Sequence, residues 1–162
     1  LLFFGLEMKR LEDADLAAKM KAPELAKYAP WLRDLRSFRP HTLSDDGDPC
    51  DVLVLSPVPL ITGVVVRCRP IGMLKLDDEA GGDAKILAVP IDKLSSLYRT
   101  VQSPRDLPEI TTQQIAHFFE HYKDLEPGKW VRVGSWVGAE EAKREIVESI
   151  ERYRAASPKP KF

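Results

Sequence analysis

The chain has 162 residues, of which 44% are hydrophobic and 30% charged, and its formal net charge is −1. This length and composition are typical of a single globular domain and leave no room for two large ones. The balanced charge argues against a nucleic-acid partner, because phosphate backbones are bound by a surplus of Lys and Arg. No apolar run approaches the ~20 residues of a membrane span, so no membrane partner is expected.

Residues 1–40 are rich in Leu, Ala, Lys and Glu, which favour helix. A helix is predicted from Pro23, since apolar residues recur there at three- and four-residue steps, with Pro30 kinking or splitting it. After a turn cluster at residues 44–49, short apolar runs predict strands at 52–55, 64–69 and 85–91, and residues 72–76 can extend the second strand past Pro70. The segment 77–82 is expected to be a polar loop. Such strands indicate an antiparallel sheet or part of a barrel.

Two helices are predicted near the end of the chain. The first has an apolar face formed by Ile115, Phe118, Phe119 and Tyr122. Gly128 is expected to stop it, and residues 130–133 can form one more strand. The second helix is expected to begin near Gly138, and residues 157–162 to form a tail.

Two cysteines, Cys50 and Cys68, are too few for a disulfide framework and indicate a reducing compartment. Both lie in apolar runs, which predicts buried, inert thiols. We therefore expect a cytoplasmic protein.

Two acidic stretches carry the chemistry of the sequence. In the first, Gly47 and Pro49 make a tight turn, so that Asp46, Asp48 and Asp51 could converge at the entrance of a strand. Carboxylate oxygens are the ligands that Mg²⁺ prefers.

The second stretch contains Asp83 and Lys85, which are two apart on a predicted strand and so point to one face. A carboxylate for a metal would lie beside an ammonium for a phosphate, as a magnesium-bound phosphoanhydride requires. The alternative is that both stretches are solvated turns, since Asp and Gly are common turn residues. A calcium loop beginning at Asp46 fails, because Pro57 stands where a bidentate Glu is needed, and no P-loop pattern occurs.

Four motifs follow one another along the chain. They are Asp46-Gly47-Asp48-Pro49-Cys50-Asp51-Val52-Leu53-Val54, Arg67-Cys68-Arg69-Pro70-Ile71-Gly72, the segment 78–85 with Asp78-Glu79-Ala80-Gly81 and Asp83-Ala84-Lys85, and the segment 115–126 around His117-Phe118-Phe119-Glu120-His121-Tyr122-Lys123-Asp124. Through these motifs, about residues 41–154 resemble the family I soluble inorganic pyrophosphatases.

The resemblance implies a role for each matching residue. Asp46, Asp51 and Asp83 would hold the activating Mg²⁺ ions, and Asp78 would help to hold a further one. Asp48 would accept a proton from the attacking water. The phosphate oxygens would be held by Lys85, Tyr122 and Lys123.

The family further implies an α+β fold, here a partial, OB-like antiparallel β-barrel with packed helices. The implied activity is Mg²⁺-dependent hydrolysis of pyrophosphate to two phosphates. Family members carry an earlier third with barrel strands and further substrate ligands, which residues 1–40 do not match. The alternative is therefore an inactive remnant that binds metal or phosphate, or assembles with other subunits, and a homo-oligomer is a possible partner state.

The start of the chain contains Leu1-Leu2-Phe3-Phe4, Leu11-Glu12-Asp13-Ala14, Trp31-Leu32-Arg33-Asp34-Leu35-Arg36 and Arg39-Pro40-His41. Through these stretches, residues 1–44 instead resemble an internal segment of oligoendopeptidase F. Both resemblances fit His41-Thr42-Leu43-Ser44, which predicts a fusion there. The expected organisation is a helical N-terminal segment at 1–40, a pyrophosphatase-like domain at 41–156 and a tail at 157–162.

One further motif has to be weighed. His117 to His121 matches the H-x-x-E-H pattern of inverted zinc peptidases, in which two histidines share a helix face. Phe118, Phe119 and Tyr122 give the same segment a packing explanation, which we favour.

Overall fold

The computed structural model describes residues 41–57, 60 and 64–158. The helices predicted within residues 1–40, and residues 159–162 of the predicted tail, lie outside the described residues. No helix within the described part of the chain is long and apolar enough to cross a membrane.

Four strands form one mixed sheet, and two helices pack on it. The strands are β1 (Asp51–Val54), β2 (Cys68–Asp78), β3 (Gly81–Pro90) and β4 (Val131–Gly138), in the spatial order β1-β3-β2-β4. The helices are α1 (Glu109–His121) and α2 (Ala139–Ala155). The order leaves β1 and β4 at the two edges, so the described sheet is not closed into a barrel.

The prediction of an antiparallel sheet was wrong for one strand pair. β2 is antiparallel to both β3 and β4, but β1 runs parallel to β3, with Asp51 opposite Lys85. The reason is that β2 lies on the far side of β3 from β1, so the chain crosses over before it returns in the original direction.

The predicted polar loop 77–82 is instead a tight turn inside a long hairpin. Asp78 pairs with Gly81, leaving only Glu79 and Ala80 between the strands. Asp78 Oδ1 accepts hydrogen bonds from the backbone N–H groups of Ala80 (2.8 Å) and Gly81 (3.2 Å). These bonds give both backbone N–H groups of the turn an acceptor. Gly81 adopts a φ of 129°, which suits a residue without Cβ.

Two other boundaries also differ from the prediction. The strand predicted from residue 64 begins only at Cys68. Val64 and Val65 precede it and are exposed, so no core packing holds them in the sheet. Helix α1 ends at His121, well before Gly128, which instead occupies a turn with φ 81°. The start of α2 beside Gly138 is confirmed.

Alternating residues of β2 and β3 supply two apolar clusters. Leu74 and Leu87 pack with Ile115 and Phe119 of α1. Met73, one residue earlier on β2, packs instead with α2. Because successive strand residues point to opposite faces, α1 and α2 cover opposite faces of the sheet.

Candidate active site

The site is built where β1 and β3 begin. Asp51 opens β1 and lies opposite Lys85 in the parallel register, while Asp83 precedes Lys85 by two residues on β3. Lys85 Nζ lies 2.6 Å from Asp51 Oδ2 and 2.7 Å from Asp83 Oδ2. The predicted pairing of Asp83 with Lys85 is therefore present in the structure, and parallel pairing of the strands adds Asp51.

The electrostatics keep Lys85 charged although it is buried. Burial by itself would lower the pKa of the Lys85 ammonium, but the carboxylates of Asp51 and Asp83 outweigh it and hold the pKa above its ordinary value. Only 6% of the Lys85 side chain and 8% of the Asp83 side chain are exposed, so this is a largely dehydrated ion pair.

Asp46 and Asp48 lie on the loop that leads into β1. Asp46 Oδ1 accepts a hydrogen bond of 3.0 Å from the backbone N–H of Asp48. Burial raises the pKa of the Asp46 carboxyl; the negative charges of Asp83 and Asp48 raise it further, against the Asp48 N–H bond and Lys85, which lower it. Asp46 thus lies close enough to Asp83 and Lys85 for their charges to affect its pKa. Asp48, by contrast, is exposed to solvent.

Lys123 forms a second cluster just beyond α1. Its Nζ donates to Asp78 Oδ2 at 2.7 Å and to Glu79 Oε1 at 3.3 Å. Burial alone would raise the pKa of Asp78, but hydrogen bonds from Lys123 and from the turn's backbone N–H groups lower it below the ordinary value. Both Asp78 oxygens therefore already have partners, one in the turn and one on Lys123.

Tyr122 lies between the two clusters. Burial raises the pKa of its hydroxyl. The positive charges of Lys85 and Lys123 lower this pKa, and the negative charge of Asp83 raises it. Lys123 Nζ lies 5.6 Å from the Tyr122 ring centre, and Lys85 Nζ lies 5.8 Å from the ring centre of Phe119. Phe119 of α1 and Tyr122 at its C-cap thus each place an aromatic ring beside one of the two lysines.

The arrangement can be compared with the needs of a divalent metal. Within residues 41–57, 60 and 64–158, no three His, Cys, Asp or Glu side chains are grouped as a metal site. Asp51 and Asp83 nevertheless point their oxygens at one shared cation, and like-charge repulsion acts on Asp46. Carboxylate oxygens of this kind are the donors that a hard cation takes, so the residues suit a hard divalent cation by donor chemistry.

The alternative zinc motif lies elsewhere on α1. His117 and His121 are exposed, with ring centres 4.5 Å apart. His121 Nδ1 lies 2.9 Å from Asp124 Oδ2. Phe119, between them in sequence, is buried in the core as the packing explanation requires, whereas Phe118 is 38% exposed.

Three residues of structural importance received no role from the sequence. Glu79 shares Lys123 with Asp78. Arg69 donates two hydrogen bonds of 2.6 Å, to the carbonyls of Val101 and Tyr98, and so fixes the segment after β3. Arg152 of α2 holds the loop before Asp46. Glu79 and Arg69 belong to the matching motifs, which could have drawn attention to them; Arg152 carried no such signal.

Comparisons with known proteins show which family the chain resembles. The family model described as Inorganic pyrophosphatase matches residues 38–154, and that of Oligopeptidase F matches residues 7–47. The inorganic pyrophosphatase of Escherichia coli K12 is 63% identical over 69% of this chain and 64% of its own length. That of Bradyrhizobium diazoefficiens is 61% identical over 71% of this chain and 65% of its own. The chain thus spans slightly less than two thirds of these curated relatives.

Solved structures of inorganic pyrophosphatases also match this chain. An inorganic pyrophosphatase from Coxiella burnetii matches with a TM-score of 0.68 and 51% identity, over 71% of this chain and 68% of that one. The Helicobacter pylori enzyme matches with a TM-score of 0.70 and 45% identity, over 73% of this chain and 69% of that one. With a family match that covers most of its length, this chain belongs to the inorganic pyrophosphatase family.

Proposed function

We propose that this chain hydrolyses inorganic pyrophosphate to two phosphates with the help of Mg²⁺. The observation that carries the proposal is Lys85, which lies between Asp51 and Asp83 in a chain of the pyrophosphatase family. A cation-binding pair of carboxylates and a phosphate-binding ammonium in direct contact suit a substrate that arrives with its metal.

The carboxylates would divide into two groups. Asp46, Asp51 and Asp83 would hold Mg²⁺ at the start of β1 and β3, and Asp78 would contribute beside Lys123. Bound Mg²⁺ would lower the pKa of water and neutralise charge on the phosphates. The carboxylates themselves would fix the position of the bound metal.

The remaining residues would act on substrate and water. Asp48, exposed on its loop, would take the proton of the water that attacks phosphorus, while the bridging P–O bond breaks and the second phosphate leaves. Lys85, Tyr122 and Lys123 would hold phosphate oxygens and stabilise the negative charge that develops on the leaving group.

Membership of the pyrophosphatase family also supports a finer description of the fold. We propose that the four-stranded sheet is part of an OB-like barrel, because the solved relatives are longer and the sheet has edges at β1 and β4. A homo-oligomer and a cytoplasmic location are further expectations, the latter because Cys50 and Cys68 are both free thiols.

We also propose that residues 1–40 and 41–156 have different origins. The two family models overlap only at residues 38–47, and His41–Ser44, the predicted junction, falls inside that overlap. Resequencing of the source DNA across this codon range tests the fusion. Two separate reading frames there would overturn it.

Turnover tests the activity. Phosphate release from pyrophosphate is measured with Mg²⁺ and with a chelator, for the natural chain, for Asp51→Asn and for Asp92→Asn. Asp92 is a matched control, because it is an exposed aspartate paired with Arg99. We expect release that needs Mg²⁺, is lost in Asp51→Asn and persists in Asp92→Asn. A folded chain without release would overturn the proposed activity and favour the inactive metal- or phosphate-binding remnant.

A further inference from the structure

We propose that Arg152 is a positioning residue, which fixes the loop carrying Asp46 and Asp48 against α2. The proposal rests on the proposed function, since it assigns these two aspartates to the site. Arg152 itself is far along the chain, 109 residues from the loop residue that it contacts.

The contacts of Arg152 point in two directions. On the loop side, its Nε donates a hydrogen bond of 2.7 Å to the Leu43 carbonyl and lies 3.5 Å from Asp45 Oδ1. On the helix side, its Nη2 donates to Glu145 Oε1. Because a planar guanidinium holds several donors in fixed directions, Glu145 orients the group that reaches the loop.

A second tie from α2 reaches the same residue of the loop. The backbone N–H of Leu43 donates to the Ser149 carbonyl at 2.9 Å. Ser149 is fully buried, and its hydroxyl donates to the Ile146 carbonyl within the helix. Both polar backbone groups of Leu43 are therefore bonded to a single helix face.

Hydrogen bonds within the loop connect the residue after Leu43 to the segment that carries Asp46 and Asp48. Ser44 N–H donates to the Asp48 carbonyl at 2.7 Å, and Gly47 N–H donates to the Ser44 carbonyl at 3.1 Å. Buried Thr42 accepts a 3.0 Å hydrogen bond at Oγ1 from the Cys50 backbone N–H. The turn is closed at its base, so its orientation depends on how Leu43 is attached to α2.

Removal of the guanidinium should loosen the turn without opening the core. The Arg152 side chain is 29% exposed, and its Asp45 partner is 74% exposed, so that ion pair contributes little. The Leu43 carbonyl, by contrast, loses its donor. We expect Asp46 and Asp48 to sample more orientations, which weakens metal binding about tenfold, as loss of an outer orienting group does elsewhere.

The experiment compares Arg152→Gln and Arg152→Lys with Arg144→Gln. Arg144 is exposed on the same helix, so its variant controls for loss of one positive charge. Three quantities are measured: Mg²⁺ affinity by calorimetry without pyrophosphate, amide exchange of residues 43–48, and kcat and KM at saturating Mg²⁺. We expect Arg152→Gln to weaken Mg²⁺ binding and speed exchange in the loop alone, Arg152→Lys to recover part of both, and Arg144→Gln to match the natural chain.

Three results would overturn the proposal. The first is unchanged Mg²⁺ affinity in Arg152→Gln, and the second is no Mg²⁺ binding in the natural chain. The third is faster exchange throughout the sheet, which would make Arg152 a general stabilising residue. A natural chain that binds Mg²⁺ but releases no phosphate would refute the proposed hydrolysis, while the calorimetry and exchange would still decide the role of Arg152.

Discussion

Asp51 and Lys85 face each other across the parallel pair β1 and β3, and a 2.6 Å ion pair joins their side chains. They are 34 residues apart in sequence. Asp83, two residues before Lys85 on β3, contacts the same ammonium. Lys85 therefore serves as the common counter-ion of two carboxylates that we assign to metal binding.

This relationship predicts that Lys85→Met destabilises the metal-free chain and that Mg²⁺ compensates. Without the ammonium, Asp51 and Asp83 repel each other. Because the Asp51 side chain is 34% exposed, solvent screens part of this repulsion, and the expected loss is smaller than the ~3 kcal/mol of a fully buried cluster. Mg²⁺ can replace the missing positive charge. Denaturant unfolding with chelator and with Mg²⁺ measures the free energy of unfolding in both states.

The control for Lys85→Met is Lys143→Met. Lys143 pairs with Glu140 at 2.7 Å on the solvent-exposed side of α2, where an ion pair contributes little to stability. We expect no more than a small change in that variant, with or without Mg²⁺. An equal stabilisation of the natural chain and Lys85→Met by Mg²⁺ would show that Lys85 and the metal do not share the two carboxylates.

A second prediction concerns the thiols. Burial raises the pKa of Cys50 to about 12, with the negative charges of Glu145 and Asp51 adding to the effect, and burial raises that of Cys68 to about 12 as well. At pH 8 the reactive thiolate is then on the order of one molecule in ten thousand. We expect iodoacetamide to modify neither residue in the folded chain and both in denaturant, as mass spectrometry can count. Rapid modification of Cys50 in the native chain would contradict its position in the core beside α2.

Close packing at Gly72 gives a third prediction. A Cβ built on Gly72 would lie 2.3 Å from Pro104 Cγ and 2.5 Å from the Val137 carbonyl oxygen. Both obstacles belong to ordered structure, so Gly72→Ala should destabilise the chain by about 1–3 kcal/mol. Thermal unfolding measures the loss. Gly82→Ala is the comparison, because no atom beyond Gly82 and its two chain neighbours lies within 4 Å of its Cβ position. Similar unfolding of the two variants would refute the close contact.

The sequence predicts those parts of the fold that depend on neighbours in the chain. The apolar spacing of Ile115 and Phe119 gives α1 its buried face, and the two-residue spacing of Asp83 and Lys85 places both on one side of β3. The parallel partner of Lys85 could not be derived in this way. It depends on which strand lies beside β3, and that choice is decided by long-range packing that a local pattern does not encode.

The same distinction explains the missed residues. Arg152 contacts the Leu43 carbonyl, a group that every residue carries, so no side-chain pattern marks the pair. Asp78 illustrates the converse, since its turn chemistry predicted a loop, whereas its carboxylate caps a two-residue hairpin turn and binds Lys123. The contacts of Arg152 with Leu43 and of Asp78 with Lys123 both cross elements, so neither can be derived from a local pattern.

The final prediction concerns pH and Asp106, which lies away from the acidic clusters. Its Oδ2 accepts hydrogen bonds of 2.8 Å from the backbone N–H groups of Gln102 and Ser103, and these bonds lower the pKa of the carboxyl below its ordinary value of 3.8. A lowered carboxyl pKa stabilises the fold above the unfolded pKa of about 3.9, and this contribution is lost as the pH falls through the folded value. Asp106→Asn should therefore be less stable than the natural chain at pH 7, and the difference should shrink below about pH 4. Urea unfolding at several pH values measures it, and a difference that stays constant down to pH 2 would show that the charge of Asp106 does not stabilise this turn.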